Sequence, residues 1–287
     1  MIVLLSPAKT VDQSDPDFTE KSSIPFPAET AKLVAQLKEM SKQDLRSTLG
    51  ISDNLAALNH ERYAGWEDQK EMQCALLFDG EAYKGLRART LSPEDLRYAQ
   101  EHLRILSGLY GILRPLDAIK PYRLEMGTKL SGPHGKDLYA LWGPRNAKEI
   151  NKALAAQKDP KSRLVVSCAS AEYLKSVRVA DLEYPLVHCV FPGPAVYAKQ
   201  ARGAMVRHII ENKINDRAGL ETFTGANGEW RHDPEASGEH EVVFVRDPGA
   251  AKGAGRTAAR AAGGAKRKAG AAQADGGARK TKAKKKA

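Results

Sequence analysis

Thr48-Leu49-Gly50-Ile51-Ser52-Asp53-Asn54-Leu55-Ala56 sets a glycine, an aliphatic residue and a serine between two segments of helical apolar spacing. A tight turn at Gly50, followed by a helix that starts near Ser52, presents backbone N–H groups to an anion, and the helix dipole assists. Ser6-Pro7-Ala8-Lys9-Thr10 follows directly on the apolar run Ile2–Leu5. Ligand groups often lie where strands end in α/β folds, so Lys9 is placed to hold a phosphate or, if buried, to act as a base or Schiff-base amine. Between residues 102 and 127, Arg and Tyr interleave with Gly and Pro, and Arg114, Lys120 and Arg123 are candidates to line an anion-binding cleft. Between residues 197 and 212, Lys199, Arg202 and Val206 share one helical ridge and Gly203, Arg207 and Glu211 another. Arg207 and Glu211 are spaced to pair at i,i+4. Gly203 costs helix stability, which implies that another segment approaches its backbone closely. Each pattern also has an ordinary structural reading: a helical hairpin packed in a core, a connecting segment, or a solvated charged face.

The stretch 49–56 resembles the hairpin of helix-hairpin-helix DNA-binding motifs: a Gly, an aliphatic residue, a second Gly, and an Ala inside the second helix. Leu49, Gly50, Ile51, Ser52, Asn54 and Ala56 are the candidate hairpin positions. Ser52 stands where the second glycine would be, and Asp53 puts an acid where phosphate would approach. Leu-Gly-Ile-Ser also suits the turn of a helix-turn-helix. There is no Gly-rich dinucleotide loop and no Walker lysine motif, and the seven histidines do not fall into ligand pairs, so neither a cofactor nor a metal site is expected.

These groups must be positioned by an alternation of short strands and helices. Ile2–Leu5 reads as a buried strand stopped by Ser6-Pro7, and residues 12–27 as a loop rich in Ser, Asp and Pro. Helices are expected over 28–40, 43–49, 53–59, from the Ser92-Pro93 cap and first turn to about 103, over 146–157 and over 199–214. Leu45, Leu49, Ile51, Leu55 and Leu58 are expected to form one compact apolar face. Further strands are expected over 74–78, 164–168, 183–191 and Glu241–Arg246, with Pro185 demoting the start of the third to an edge. With no internal repeat, the pattern predicts a mixed α/β (α+β) fold, one large domain over 1–247.

Charge divides the chain. Of 45 Lys and Arg, twelve fall in residues 248–287 with only Asp275 among the 35 acids, leaving 33 bases and 34 acids before them, a net of −1. The tail has no aromatic and no large aliphatic side chain, cannot bury enough apolar surface to offset its ordering entropy, and is expected to be disordered. Its Lys266, Arg267, Lys268, Lys284, Lys285 and Lys286 are candidate contacts to an acidic polymer, nucleic acid being the commonest in a cell. Three scattered cysteines argue against a disulfide framework and for a reducing, cytoplasmic setting. No stretch approaches the ~20 apolar residues of a membrane span, so no membrane partner is expected.

Taken together, Ser6–Thr10, Phe78-Asp79-Gly80 with Tyr83-Lys84-Gly85-Leu86, residues 103–127, Gly135-Lys136-Asp137-Leu138-Tyr139 with Trp142, Ala169-Ser170 with Glu172-Tyr173 and Lys175, and residues 197–212 resemble the YaaA family of bacterial peroxide-stress proteins. The resemblance implies an unusual mixed single-domain fold with a basic cleft and a helix-hairpin-helix element. It also implies binding to duplex and irregular DNA such as bubbles or junctions, and protection from peroxide stress linked to intracellular iron. It places Arg104, Arg114, Arg123, Lys136, Lys175, Lys199, Arg202 and Arg207 as candidates for the cleft. The rival reading is an enzyme acting on a nucleotide or damaged base in the same cleft, with Lys9, Glu125, Glu172 and Glu211 as its acid–base or nucleophilic groups. His208 and Trp230 stand where the family pattern suggests Phe and Tyr, and the basic tail lies beyond the family's usual length.

Overall fold

Ile2-Val3-Leu4-Leu5 is the axis of the molecule. In the computed structural model, which describes residues 1–247 and Gly249, this strand (β1, Ile2–Leu5) is buried along its whole length. The other strands are β2 (Met72–Gln73), β3 (Leu103–Ser107), β4 (Gly111–Leu113), β5 (Ala118–Ile119), β6 (Val165–Ser167), β7 (Leu186–Val190), β8 (Trp230–His232) and β9 (Glu241–Arg246). The helices are α1 (Pro27–Lys38), α2 (Lys42–Leu49), α3 (Asp53–Ala64), α4 (Cys74–Leu77), α5 (Glu81–Leu86), α6 (Pro93–His102), α7 (Leu138–Ala155), α8 (Ala171–Leu174), α9 (Ala195–Glu211) and α10 (Arg217–Glu221). Seven strands form one sheet in the order β4-β3-β1-β6-β7-β9-β8, and β2 and β5 form a separate pair. β3, β1, β6, β7 and β9 run parallel, while β4 and β8 close the two edges antiparallel. A parallel strand covered on both faces must be apolar throughout, which is why β1 reads as an unbroken run rather than an alternation.

The two-residue period of the strands sorts their side chains between two layers. Ile2, Leu4, Leu106, Ile112 and Val165 face Ala147, Ile150 and Leu154 of α7. Val3, Leu5, Leu103, Ile105 and Val166 belong to the larger core, which takes in Met205, Val206 and Ile209 of α9 and Leu96 and Ala99 of α6. The larger layer admits a very close helix pair. A Cβ on Gly203 would stand 1.6 Å from the Ala82 carbonyl oxygen, and one on Gly85 2.0 Å from that of Gln200. The segment that approaches Gly203 is therefore α5.

Most expected elements are present, and the departures have physical causes. Residues 74–78, expected as a strand, contain the fully buried helical turn α4, because a short apolar run cannot be told from a buried helix by periodicity. Its entry is fixed by Cys74 N and Ala75 N, which donate to the carbonyls of Asp117 and Pro115. The helix expected from 146 begins eight residues earlier at Leu138, capped by Asp137 and carrying Pro144 inside it. β7 is an interior strand, paired to β6 and β9, and starts just after Pro185. Leu45 is buried, but Leu55 and Leu58 are 36% and 40% exposed, so the five leucine and isoleucine positions of the hairpin do not share one buried face. The basic tail, with Lys266, Arg267, Lys268, Lys284, Lys285 and Lys286, lies outside the described residues. Among the described residues no helix is long and apolar enough to cross a membrane.

Candidate functional site

The parallel strands end on one rim, and the polar residues that follow them meet there. Ser6, leaving β1, accepts a hydrogen bond from Ser170 N (2.9 Å) and donates to Ser170 Oγ (3.3 Å), joining the exits of β1 and β6. Tyr83 of α5 donates its hydroxyl to the Ser6 carbonyl at 3.1 Å. Three residues on, Lys9 Nζ lies 2.7 Å from Glu125 Oε2, and Arg123 Nη2 lies 2.9 Å from Glu125 Oε1. Arg123 is mostly enclosed and its buried Nε has no hydrogen-bond partner. The segment carrying both residues is tied to α3, because the Tyr63 hydroxyl donates to the Arg123 carbonyl at 2.8 Å. Glu172, in the first turn of α8, accepts from Gly127 N at 3.0 Å. Lys175 Nζ sits 4.9 Å above the Tyr139 ring, within cation–π range.

An open groove of 540 Å³ runs between these carboxylates and the end of α2. Its walls are Ser47, Thr48, Leu49 and Gly50 on one side and Glu125, Gly127, Lys129 and Glu172 on the other. The hairpin geometry follows from local chemistry. Ser41 and Asp44 form a reciprocal capping box at the head of α2. Gly50 ends α2 in the left-handed region at φ 60°, with its N–H bonded to the Arg46 carbonyl, a conformation that favours glycine. Ser52 then caps α3, its Oγ accepting from Leu55 N at 3.4 Å. Asp53 is held by Arg46 at 3.0 Å, so its charge is partly answered inside the hairpin. Ala56 is buried and Asn54 is exposed. No atom lies within 4 Å of where a Gly50 Cβ would be, so the turn opens to solvent.

Two phenols near this rim are held neutral. Burial pushes the Tyr173 hydroxyl up, and the nearby Glu172 and Glu125 charges add to it. Burial likewise pushes the Tyr83 hydroxyl well up. Both are hydrogen-bond donors at neutral pH.

Sequence reasoning singled out Lys9, Glu125 and Glu172, and the structure brings them to the same rim. Glu211 does not join them; it pairs with Arg207 along α9 at 2.7 Å. The eight cationic candidates are spread over separate places. Arg123 and Lys175 stand at the rim, and Lys136 is exposed just before α7. Lys199 is exposed and Arg202 half-buried on α9, the latter with a buried Nε that has no partner. Arg207 is a structural strut, donating to the carbonyls of Leu86 and Arg87 and to Thr90 Oγ1. Arg104 and Arg114 line a different hollow, beside α7. Lys120 is spent on the Trp66 carbonyl at 2.9 Å and on the Trp66 ring. Ser6, Ser170, Tyr83, Tyr173 and Lys129 were not foreseen as site residues. The first four lie in the blocks that carry the family resemblance, and their position after strand ends, or beside residues 123–127 for Tyr173 and Lys129, could have marked them.

Comparison with known proteins agrees with this architecture of blocks. A family model described as peroxide stress protein YaaA matches residues 1–236. A UPF0246 protein of Paraburkholderia phytofirmans is 44% identical over 259 residues, covering 86% of this chain and 98% of its own. One from Paraburkholderia xenovorans is 44% identical over 259 residues with the same coverage. One from Burkholderia mallei is 43% identical over 263 residues, covering 87% of this chain and 100% of its own. On a match that spans every element from β1 through β8, the chain belongs to the peroxide stress protein YaaA family.

Proposed function

We propose that this protein binds DNA in the peroxide stress response, largely without sequence specificity, and limits peroxide- and iron-linked damage to it. The observation that supports this best is the α2–α3 hairpin. Gly50 leaves an unobstructed backbone at the turn, and the first-turn amides of the twelve-residue α3 follow within a few residues. Apart from Leu55 N, which Ser52 caps, such amides are unsatisfied within the helix and suit a phosphate oxygen. Lys129 and Lys175 are exposed around the adjoining groove and supply charge for a strand lying across it, with Lys9 beside them paired to Glu125. The net charge of −1 over residues 1–247 does not oppose this, because a contact patch depends on charges within about a Debye length, ~8–10 Å at physiological salt. Binding of fluorescent duplex, single-stranded and bubble DNA by a Lys129→Glu/Lys175→Glu protein tests the reading. The expected result is at least about ten-fold weaker binding of all three with an unchanged melting temperature. Unchanged affinity would remove the groove from the DNA path.

One observation favours a second reading: Glu125 and Glu172 line the same groove, with Lys9 on the first. That set suits acid–base chemistry on a nucleotide or damaged base. Incubation with nucleotides and lesion-bearing oligonucleotides, followed by chromatography, would detect it. Turnover abolished by Glu172→Gln with DNA affinity intact would establish the enzyme.

A further inference from the structure

A second hollow, with two arginines and a lysine in its walls, lies on the α7 side of the sheet, away from the hairpin groove. It encloses 270 Å³, and Arg104, Ile112, Arg114, Glu149, Lys152 and Ala156 are among its walls. Its two arginines face each other by construction. β3 and β4 pair Ile105 with Leu113, and one step further along the antiparallel ladder sets Arg104 opposite Arg114. Like charges in that relation repel.

The two guanidinium groups are not equally compensated. Arg114 reaches the fully buried Asp117 through Nε (3.2 Å) and Nη2 (3.0 Å). Arg104 is only 8% exposed. Its Nη1 donates to the carbonyls of Gln100, Glu101 and Leu103, closing the end of α6. Among the described residues its Nε and Nη2 make no hydrogen bond to protein and are left open to the hollow, and no carboxylate lies at ion-pairing distance, although Glu101, Asp117 and Glu149 are near enough to favour its charge. A largely buried charge with no carboxylate in direct contact is costly, and an arginine does not escape by losing its proton. Burial, then the neighbouring Arg114 charge, lower the Arg104 pKa to about 10, which leaves it charged at neutral pH. Lys152 stands at the mouth, exposed and only loosely paired to Glu149 at 3.7 Å.

We propose that Arg104, Arg114 and Lys152 form a phosphate-binding site separate from the hairpin groove. The free edge of the Arg104 guanidinium offers two parallel N–H donors, which match two oxygens of a phosphate. The anion sits between the two arginines, relieves their repulsion and draws in Lys152. Its source is either a free phosphate or phosphomonoester, or a phosphate of a DNA backbone. The site does not depend on the DNA-binding reading.

The test is thermal unfolding and calorimetric titration of the full chain with inorganic phosphate, with ionic strength held constant by chloride. A ligand bound only by the folded state raises the melting temperature as it saturates. The expected result is a saturating rise in the native protein and at least about ten-fold weaker phosphate binding in Lys152→Glu and Ala156→Glu. Both positions are exposed at the end of α7, where an acid is only mildly unfavourable to the helix dipole, so the melting temperature without phosphate should fall by no more than about a few degrees. Arg104→Gln should lose the response too, and the two helix-end variants keep the test open if that protein folds poorly. No rise beyond the chloride control, or an equal response in Lys152→Glu and Ala156→Glu, would overturn the site. Duplex affinity of Ala156→Glu then identifies the source: native affinity assigns the site to a free phosphate, and a parallel ten-fold loss assigns it to the DNA backbone.

Discussion

Lys9 and Glu125 meet at 2.7 Å beyond the end of β1, and the second oxygen of Glu125 holds Arg123. One carboxylate thus restrains two of the cations nearest the groove. Those cations are available to a phosphate only in competition with Glu125.

If the groove carries DNA, Glu125→Gln should strengthen the binding. The amide keeps the shape and removes the charge, which frees Lys9 and Arg123 to reach phosphates. Each further phosphate neutralised steepens the log–log salt dependence by about 0.9, so a change in slope of up to about two is expected from anisotropy titrations. Folding stability should fall by about 1–3 kcal/mol, because Arg123 is mostly enclosed and loses its charged acceptor. Weaker DNA binding by a folded Glu125→Gln protein would show that the carboxylate takes part in the bound state.

Gly203→Ala should be severely destabilising. The new methyl would meet the Ala82 carbonyl at 1.6 Å, with both partners in packed helices. Overpacking costs about 1–3 kcal/mol and occasionally more, and here the obstacle is backbone, so about 3 kcal/mol or more is expected in urea unfolding. Gly238→Ala, where no atom lies within 4 Å, is the control and should change stability by less than about 0.5 kcal/mol.

The buried N-terminus should make stability depend on pH. Burial lowers the Met1 ammonium pKa from 8.0 to about 5, against a smaller opposing effect of Asp159. Between these values the unfolded chain carries a proton that the folded chain has released. Stability therefore rises with pH across that window, by up to about 1.4 kcal/mol per pH unit from this group. His102 and His208, also lowered by burial, add in the same direction at the acid end. Comparing the native chain with its Nα-acetylated form isolates the Met1 contribution, and identical pH profiles would refute it.

β1 and β9 are legible in the sequence because their residues pattern by local burial alone. The i,i+4 pair of Arg207 and Glu211 and the close approach to Gly203 are legible because helical spacing and the cost of glycine are local facts. The turn at 74–77 is not, since four apolar residues carry no period. The site is legible only as a set of parts. Lys9 and Glu125 are brought together by the return of the chain through β3, β4 and β5, and nothing in either neighbourhood states that pairing. Arg104 shows the same gap: its charge is visible in the sequence, but its burial opposite Arg114 depends on the ladder register.

Ser52→Gly should leave the hairpin in place and bind DNA at least as tightly. Ser52 caps α3, and replacing a serine cap by glycine costs only a few tenths of a kcal/mol. The glycine lets a phosphate approach the turn more closely. Weaker binding by a folded Ser52→Gly protein would mean that the hydroxyl itself makes a needed hydrogen bond.

If the hairpin groove is the DNA path, residues 1–247 bind DNA without help from the basic tail. A salt-titrated binding isotherm on the same duplex, for the full chain and for a 1–247 truncation, decides this. The truncation should bind at low salt, more weakly and with a shallower slope, by about 0.9 for each phosphate that the tail no longer neutralises. A truncated protein with a native melting temperature and no detectable DNA binding at low salt would contradict the groove as the DNA path.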